Sequence, residues 1–196
     1  VKDVEEITYT VRNENLDYAA GSAAEIIPTD SLDELNTVET LGTQLFQGSK
    51  PTRGKLKKPF NDLHNKPRGG IWTSNFKEDI GSAWLEWCRS ESFRRPPFKC
   101  WKLEPTNGNT IVVVDDMVDA LKLVGLTGPN PCFIRPTPDW EKLMELGVDA
   151  VHLTSEGQKN TRFVDPSKPE FYGWDCESTV WFNWCFKDGV EKTVFH

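Results

Sequence analysis

Apolar and polar residues alternate over Phe98–Leu103, and Thr110–Val114 is unbroken and β-branched; each stretch predicts a strand. Thr40–Phe46, Ile71–Phe76, Val148–Leu153, Thr179–Phe182 and Lys192–Phe195 read as further strands, with Glu6–Val11 near the start and Phe171–Trp174 late in the chain. A helical period appears in Ala83–Glu91, where Trp84, Trp87 and Cys88 recur with Leu85 beside them, and in Met117–Val124, where Met117, Ala120, Leu121 and Val124 form one stripe. Asp79 or Ser82 caps the first of these helices; Asp115 caps the second, which Gly125 ends. Asp30 or Ser31, the latter three residues before Glu34, caps a short helical turn reaching Leu35, and Asp139–Leu146 is a short helix stopped by Gly147. Thr127–Pro138 and Ser155–Pro169 read as irregular. Seven or eight strands and three or four short helices, without strict alternation, predict an α+β fold rather than a doubly wound sheet.

Length changes this picture little: 196 residues suit one domain over 1–196, with 1–37 as an N-terminal appendage. Composition adds more. The net charge is −7, which excludes a globally basic, histone-like surface, and the eight Trp and eleven Phe supply a core despite 37% apolar residues. The chain has no run of 18 apolar residues, so no membrane span is expected. The charged start, Val1 to Glu6, is unlike a signal peptide, while the missing initiator Met leaves trimming and export open; a soluble protein is expected, cytoplasmic or delivered elsewhere. Cys88, Cys100, Cys132, Cys176 and Cys185 form no CxxC pair, and no metal site is assigned.

Within this acidic chain Lys50–Arg68 is basic. It carries Lys50, Arg53, Lys55, Lys57, Lys58, Lys66 and Arg68 with His64 and one acid, Asp62, and three prolines break it. It reads as a solvated loop or as a contact surface for an anion or nucleic acid.

Three segments carry candidate chemistry. If Tyr172–Phe182 is extended, Asp175, Glu177, Thr179 and Trp181 share a face, with the two carboxylates about 6–7 Å apart. Acids are averse to strands, so their place among aromatics asks for a reason, such as orienting a hydroxyl or stabilising a developing cation. Gly69-Gly70-Ile71-Trp72-Thr73-Ser74 pairs glycines that admit a ligand close to the backbone with hydroxyls and a ring that can meet it. Leu45-Phe46-Gln47-Gly48-Ser49 is a strand end with a polar amide.

Taken in order, these segments resemble the mono-ADP-ribosyltransferase superfamily, which includes bacterial toxins and poly-ADP-ribose polymerases. The resemblance spans roughly residues 40 to 182 and implies a split-sheet α+β core that binds NAD between two small sheets. It places Glu177 on the catalytic glutamate and Asp175 two residues before it. Ser74 would position Glu177, while Trp72 or Trp84 would stack on nicotinamide. Gln47, Gly48 and Thr73 would line the dinucleotide site. Arg53, Arg68 or Lys66 would face the pyrophosphate. The implied activity is transfer of ADP-ribose from NAD to a macromolecular acceptor, DNA, RNA or a protein met through the 50–68 loop, with release of nicotinamide. One departure stands out: Gln47 occupies the first-strand place of an Arg or His, and an amide cannot pair with phosphate as a guanidinium does.

Two other classes fit the residues. One is a non-catalytic binding module, favoured by Gln47. The other is a metal-dependent nuclease or hydrolase built on Asp115, Asp116, Asp175 and Glu177, although Asp115 also suits a helix cap and Asp119 a first helical turn. His152, in an apolar strand, reads as a satisfied core or edge residue, and Trp84 with Trp87 as core packing.

Overall fold

The computed structural model describes residues 26–62, 65–131, 133, 135–162 and 165–196. The expected strand Glu6–Val11, His64 and Cys132 lie outside the described residues. Eight strands are described: β1 (Thr37–Val38), β2 (Gln44–Gln47), β3 (Ile71–Asn75), β4 (Phe98–Leu103), β5 (Ile111–Val114), β6 (Ala150–Leu153), β7 (Ser178–Trp181) and β8 (Glu191–Phe195). They form one mixed sheet in the order β1-β5-β6-β7-β3-β2-β4-β8. Every pairing is antiparallel except β5 with β6. That parallel pair needs a long crossover, supplied by helices α2 (Met117–Thr127) and α3 (Trp140–Glu145). With α1 (Ala83–Ser90) and α4 (Ser155–Asn160) these are the described α-helices, and the fold is α+β.

The apolar alternation of the strands fills both faces. Val112, Val114, Val151, Leu153 and Val180 pack with Leu123, Leu143, Trp140 and Trp174. From the opposite face Ile71, Ile111, Ala150 and Trp181 meet Leu103 and Phe186. Helix α1 covers the other arm of the sheet, burying Leu85 and Cys88 against Leu45, Phe98 and Cys100.

The seam where β2 pairs with β3, in the middle of the sheet, is short. Only Gln44↔Asn75 and Leu45↔Ser74 pair there. Beyond them β2 runs on with β4, through Phe46↔Trp101 and Gln47↔Cys100, while β3 runs with β7 from Thr73↔Thr179 to Ile71↔Trp181. Each strand keeps one neighbour and loses the other, so a cleft opens between them.

Local signals placed several elements closely. Ser82 caps α1 by accepting the Leu85 N–H, Ser31 caps a 3-10 turn over Leu32–Glu34, and Asp139 caps α3. Other expectations need correction. The cap of α2 is Asp116, which accepts the Asp119 N–H; Asp115 instead accepts the Thr154 hydroxyl. Gly125 does not end that helix, which continues to Thr127 and Gly128. A Cβ at Gly125 would lie 1.8 Å from the Ile27 carbonyl oxygen, so the residue marks a close chain crossing. The 155–169 stretch holds α4, capped by Thr154, and Tyr172–Trp174 is a 3-10 turn rather than a strand. Asp175 is not extended, so it does not continue the face of Glu177, Thr179 and Trp181. The described part of segment 1–37 is packed into the body: Leu35 is buried in the core beside Val112, and β1 pairs with β5.

Candidate active site

Glycines set the entry to β3. Gly70 adopts φ +67, and a Cβ there would lie 2.8 Å from Val180 Cγ2 and 2.9 Å from the Trp181 carbonyl oxygen, so β3 and β7 approach as only glycine allows. The strand then alternates, and Trp72 and Ser74 turn toward the cleft at the seam. That cleft encloses about 230 Å³. Its walls are Leu45, Phe46 and Gln47 from β2, Trp72, Thr73 and Ser74 from β3, Ser178 from β7, Trp84 from α1, and two cations, Lys66 and Arg94.

The rings are held in place. Trp72 Nε1 donates to the Gly69 carbonyl at 3.1 Å, its ring meets Trp174 edge-on at 4.7 Å, and the Lys66 ammonium lies 4.4 Å from a Trp72 ring centroid. Trp84 stacks on Trp87 at 5.1 Å and donates through Nε1 to Gln47 Oε1 at 2.8 Å. Gln47 is therefore locked against α1, with its carbonyl oxygen already used.

Glu177 sits just before β7, opposite Asn75, and is only 5% exposed. Asn75 N–H donates to both carboxylate oxygens, at 3.1 and 3.2 Å, and the Ser74 hydroxyl lies 3.0 Å from Oε2 and 2.8 Å from the Glu177 carbonyl oxygen. Burial pushes the Glu177 pKa up, while the Asn75 N–H, the Ser74 hydroxyl and Lys77 hold it down. Glu177 lines a second depression of about 260 Å³, with Trp87, Gln158 and Asp175 among its walls, and its carboxylate meets the cleft's wall through Ser74. Helix α1 serves both hollows: Trp84 lines the cleft, and Trp87, three residues on, lines the depression.

A buried polar layer lies beside this pair. Trp181 Nε1 donates to Thr73 Oγ1 at 2.8 Å, Thr73 donates to Gln44 Oε1 at 2.7 Å, and Gln44 Nε2 donates to Asn75 Oδ1 at 2.6 Å. His152 Nδ1 shares a 2.7 Å hydrogen bond with Thr179 and lies 3.8 Å from Glu177 Oε1. Burial lowers the His152 pKa to about 4. The imidazole is therefore neutral at neutral pH, and its approach to Glu177 is not an ion pair. A satisfied polar layer of this kind fixes side chains more firmly than apolar packing alone.

Asp175 occupies a strained backbone region, φ 67 and ψ −46, closed by the Cys176 N–H donating to the Trp174 carbonyl at 2.7 Å. This is a γ-turn of the rare positive-φ kind, which costs about 1–3 kcal/mol and is concentrated at functional sites. Burial raises the Asp175 pKa against the pull of Lys66 and Arg162; burial lowers that of Lys66 against Asp175 and Cys176.

The structure thus gathers Gln47, Trp72, Thr73, Ser74 and Trp84 at one cleft, while Glu177 and Asp175 both line the second depression and Glu177 meets the cleft wall through its hydrogen bond with Ser74. It places three other residues elsewhere. Gly48 bonds with β4, its N–H to the Lys99 carbonyl and its carbonyl to Trp101 Nε1. Arg53 lies on a 3-10 turn at a separate hollow, and Arg68 pairs with Asp62 at 2.7 Å. Arg94, Gln44 and Asn75 were not singled out from sequence. Arg94 follows a helix in an exposed loop, where nothing in the pattern marks its direction. Asn75, next to Ser74 on a glycine-led strand, was the nearest signal.

Among the described residues no group of three or more His, Cys, Asp or Glu side chains is placed to hold a metal ion. Asp116 is engaged as a cap, and Asp119 accepts from the Asp115 N–H and from Asn36. Burial pushes the thiols of Cys176 and Cys185 up to about 12, so neither is a thiolate at neutral pH. No helix among the described residues is long and apolar enough to cross a membrane. Comparison of the chain with known protein families, with curated proteins and with solved structures finds no match.

Proposed function

We propose that this chain transfers ADP-ribose from NAD to a nucleophile on a macromolecule, nucleic acid or protein, with release of nicotinamide, on an ADP-ribosyltransferase-like split-sheet fold. The observation that carries the reading is the contact of the Ser74 hydroxyl with the Glu177 carboxylate, at 3.0 Å beside an aromatic-walled cleft where the sheet divides. The cleft is smaller than the roughly 300–1,000 Å³ of ordinary ligand pockets. It would take the nicotinamide ring between Trp72 and Trp84, leaving the phosphates at the mouth near Lys66 and Arg94. The ribose would sit where Ser74 and Glu177 meet.

The chemistry follows from charge. The C1′–N bond breaks, its electron pair leaves with nicotinamide, and the pyridinium charge moves to an oxocarbenium-like ribose. A buried carboxylate held by fixed donors stabilises that cation without reorganising. The acceptor's lone pair then forms the new C1′ bond and its proton must leave. Asp175, whose pKa burial raises, would take it as general base.

A second reading is favoured by one contact. Gln47 spends its carbonyl oxygen on Trp84, which suits a binding module that holds a nucleotide without cleaving it. Nicotinamide release by the purified chain and by Glu177→Gln separates the two, because the module would release none in either form.

A further inference from the structure

Phe46 lines the cleft on one side and, on the other, a second hollow formed with Ser49, Lys50, Lys55 and Gly70. Lys50, Pro51 and Thr52 are shared in turn between that hollow and a third, which Arg53, Trp184 and Lys187 complete. The three hollows are consecutive, each sharing residues with the next, and they lead away from the cleft. Their charge has one dominant sign. Between Gly48 and Asn61 the chain has no acid, and Lys50, Arg53, Lys55, Lys57, Lys58 and Lys187 are all exposed. Among the described residues none of these six is ion-paired with a carboxylate. Asp188 is the single acid lining the third hollow.

Four of these exposed cations, Lys50, Arg53, Lys55 and Lys187, line the hollows of a chain with net charge −7, a local positive field that favours an anionic partner. The hollows follow one another through shared residues and carry a ring, Trp184, in the far one, while Lys50, which lines two of them, lies 5.8 Å from the ring centroid of Trp101. Cations that track a backbone, spaced with rings that accept bases, are the recognition chemistry of single-stranded nucleic acid. We propose that a single-stranded nucleic acid docks along this track, its phosphates on Lys50, Arg53, Lys55 and Lys187 and a base on Trp184, and that it presents the acceptor group to the cleft. The last clause rests on the transferase reading; docking does not.

The experiment is fluorescence anisotropy of labelled 12-mer DNA and RNA with the full chain, without NAD, from low to physiological salt. Binding to either oligonucleotide is expected, with a slope of log affinity on log salt of about −3 for four phosphate contacts. Lys50→Glu/Arg53→Glu/Lys55→Glu should weaken it at least tenfold and flatten the slope, and Lys187→Glu alone should do so more mildly. Trp184→Leu should cost about tenfold at unchanged slope. Lys142→Glu, on α3 and lining none of the three hollows, should bind as the parent does. No binding at low salt, binding indifferent to the triple variant, or tighter binding of a polyglutamate of equal length would overturn the proposal. Intact binding with no nicotinamide release under any condition would defeat the transferase reading and leave docking standing.

Discussion

Removing one hydroxyl tests how Glu177 is held. Ser74 has a single proton to share between the Glu177 carbonyl oxygen at 2.8 Å and Oε2 at 3.0 Å. A hydrogen bond to a charged group contributes about 1.5–3 kcal/mol. A shared one belongs at the low end, so Ser74→Ala should lose about 1.5 kcal/mol of carboxylate stabilisation. That equals about one pKa unit and about tenfold in rate. The sign is set by the site. Burial already raises the Glu177 pKa and the Ser74 hydroxyl opposes it, so its removal moves the group further up. The reaction needs the carboxylate. Nicotinamide release measured from pH 5 to 9 should therefore show the acid limb of kcat/KM displaced upward by about one unit, with the deficit largest at low pH and shrinking above the limb. An unmoved limb with an unchanged rate would refute the reasoning. So would a loss equal at every pH, since that would mean Ser74 only packs.

Three further outcomes are expected. Gly70→Ala should destabilise the chain by about 2 kcal/mol or more in urea unfolding, because a left-handed residue gains both strain and a contact with Val180. His152 takes up its proton near 6.5 when unfolded and only near 4 when folded. The unfolded chain binds more protons between those values, so stability should fall by about 3 kcal/mol as pH drops through that window. Glu177, with its raised pKa, works in the opposite direction, so comparison with His152→Asn isolates the effect: that variant should show the flatter profile on the acid side. Arg94→Ala should raise the KM for NAD about tenfold, in line with loss of one charge-assisted contact, whereas Arg68→Ala should leave it within about twofold.

Much of the fold was legible because its signals are local. Ser31, Ser82 and Asp139 cap turns that begin where their side chains can reach the next N–H groups, and Phe98–Leu103 alternates because one of its faces is buried. What failed depends on neighbours distant in sequence. Gly125 looked like a helix stop, yet its missing Cβ serves the crossing of Ile27. Asp115 and Asp116 compete for one cap, and Thr154, nearly forty residues on, decides by claiming Asp115. Strand β1 has two residues and exists only through β5. Asp175 could not be read as leaving the strand, because its γ-turn is imposed by Trp174 being buried on one side and Glu177 being anchored on the other.

The site divides in the same way. Ser74 and Glu177 were paired in the sequence only through the family resemblance, and the structure brings the two side chains within 3.0 Å. Of the two cations at the cleft, Lys66 was among the expected candidates and Arg94 was not. Charge density pointed to Arg53 and Arg68, but the loop carries them elsewhere and brings Lys66 over Trp72, while Arg94 arrives from the turn after α1. The Gln44–Thr73–Trp181 layer was invisible to a reading of single segments, since its members come from three strands.

The most direct test pairs turnover with binding in a single variant. NAD added to the parent chain, with DNA, RNA and protein acceptors supplied in turn, should release nicotinamide and quench the fluorescence of Trp72 and Trp84. Glu177→Gln should keep the quench and lose the release by at least a hundredfold, as expected when about 3 kcal/mol of transition-state stabilisation is removed. Release that survives the substitution, or a parent chain that quenches but releases nothing with any acceptor, would contradict the account.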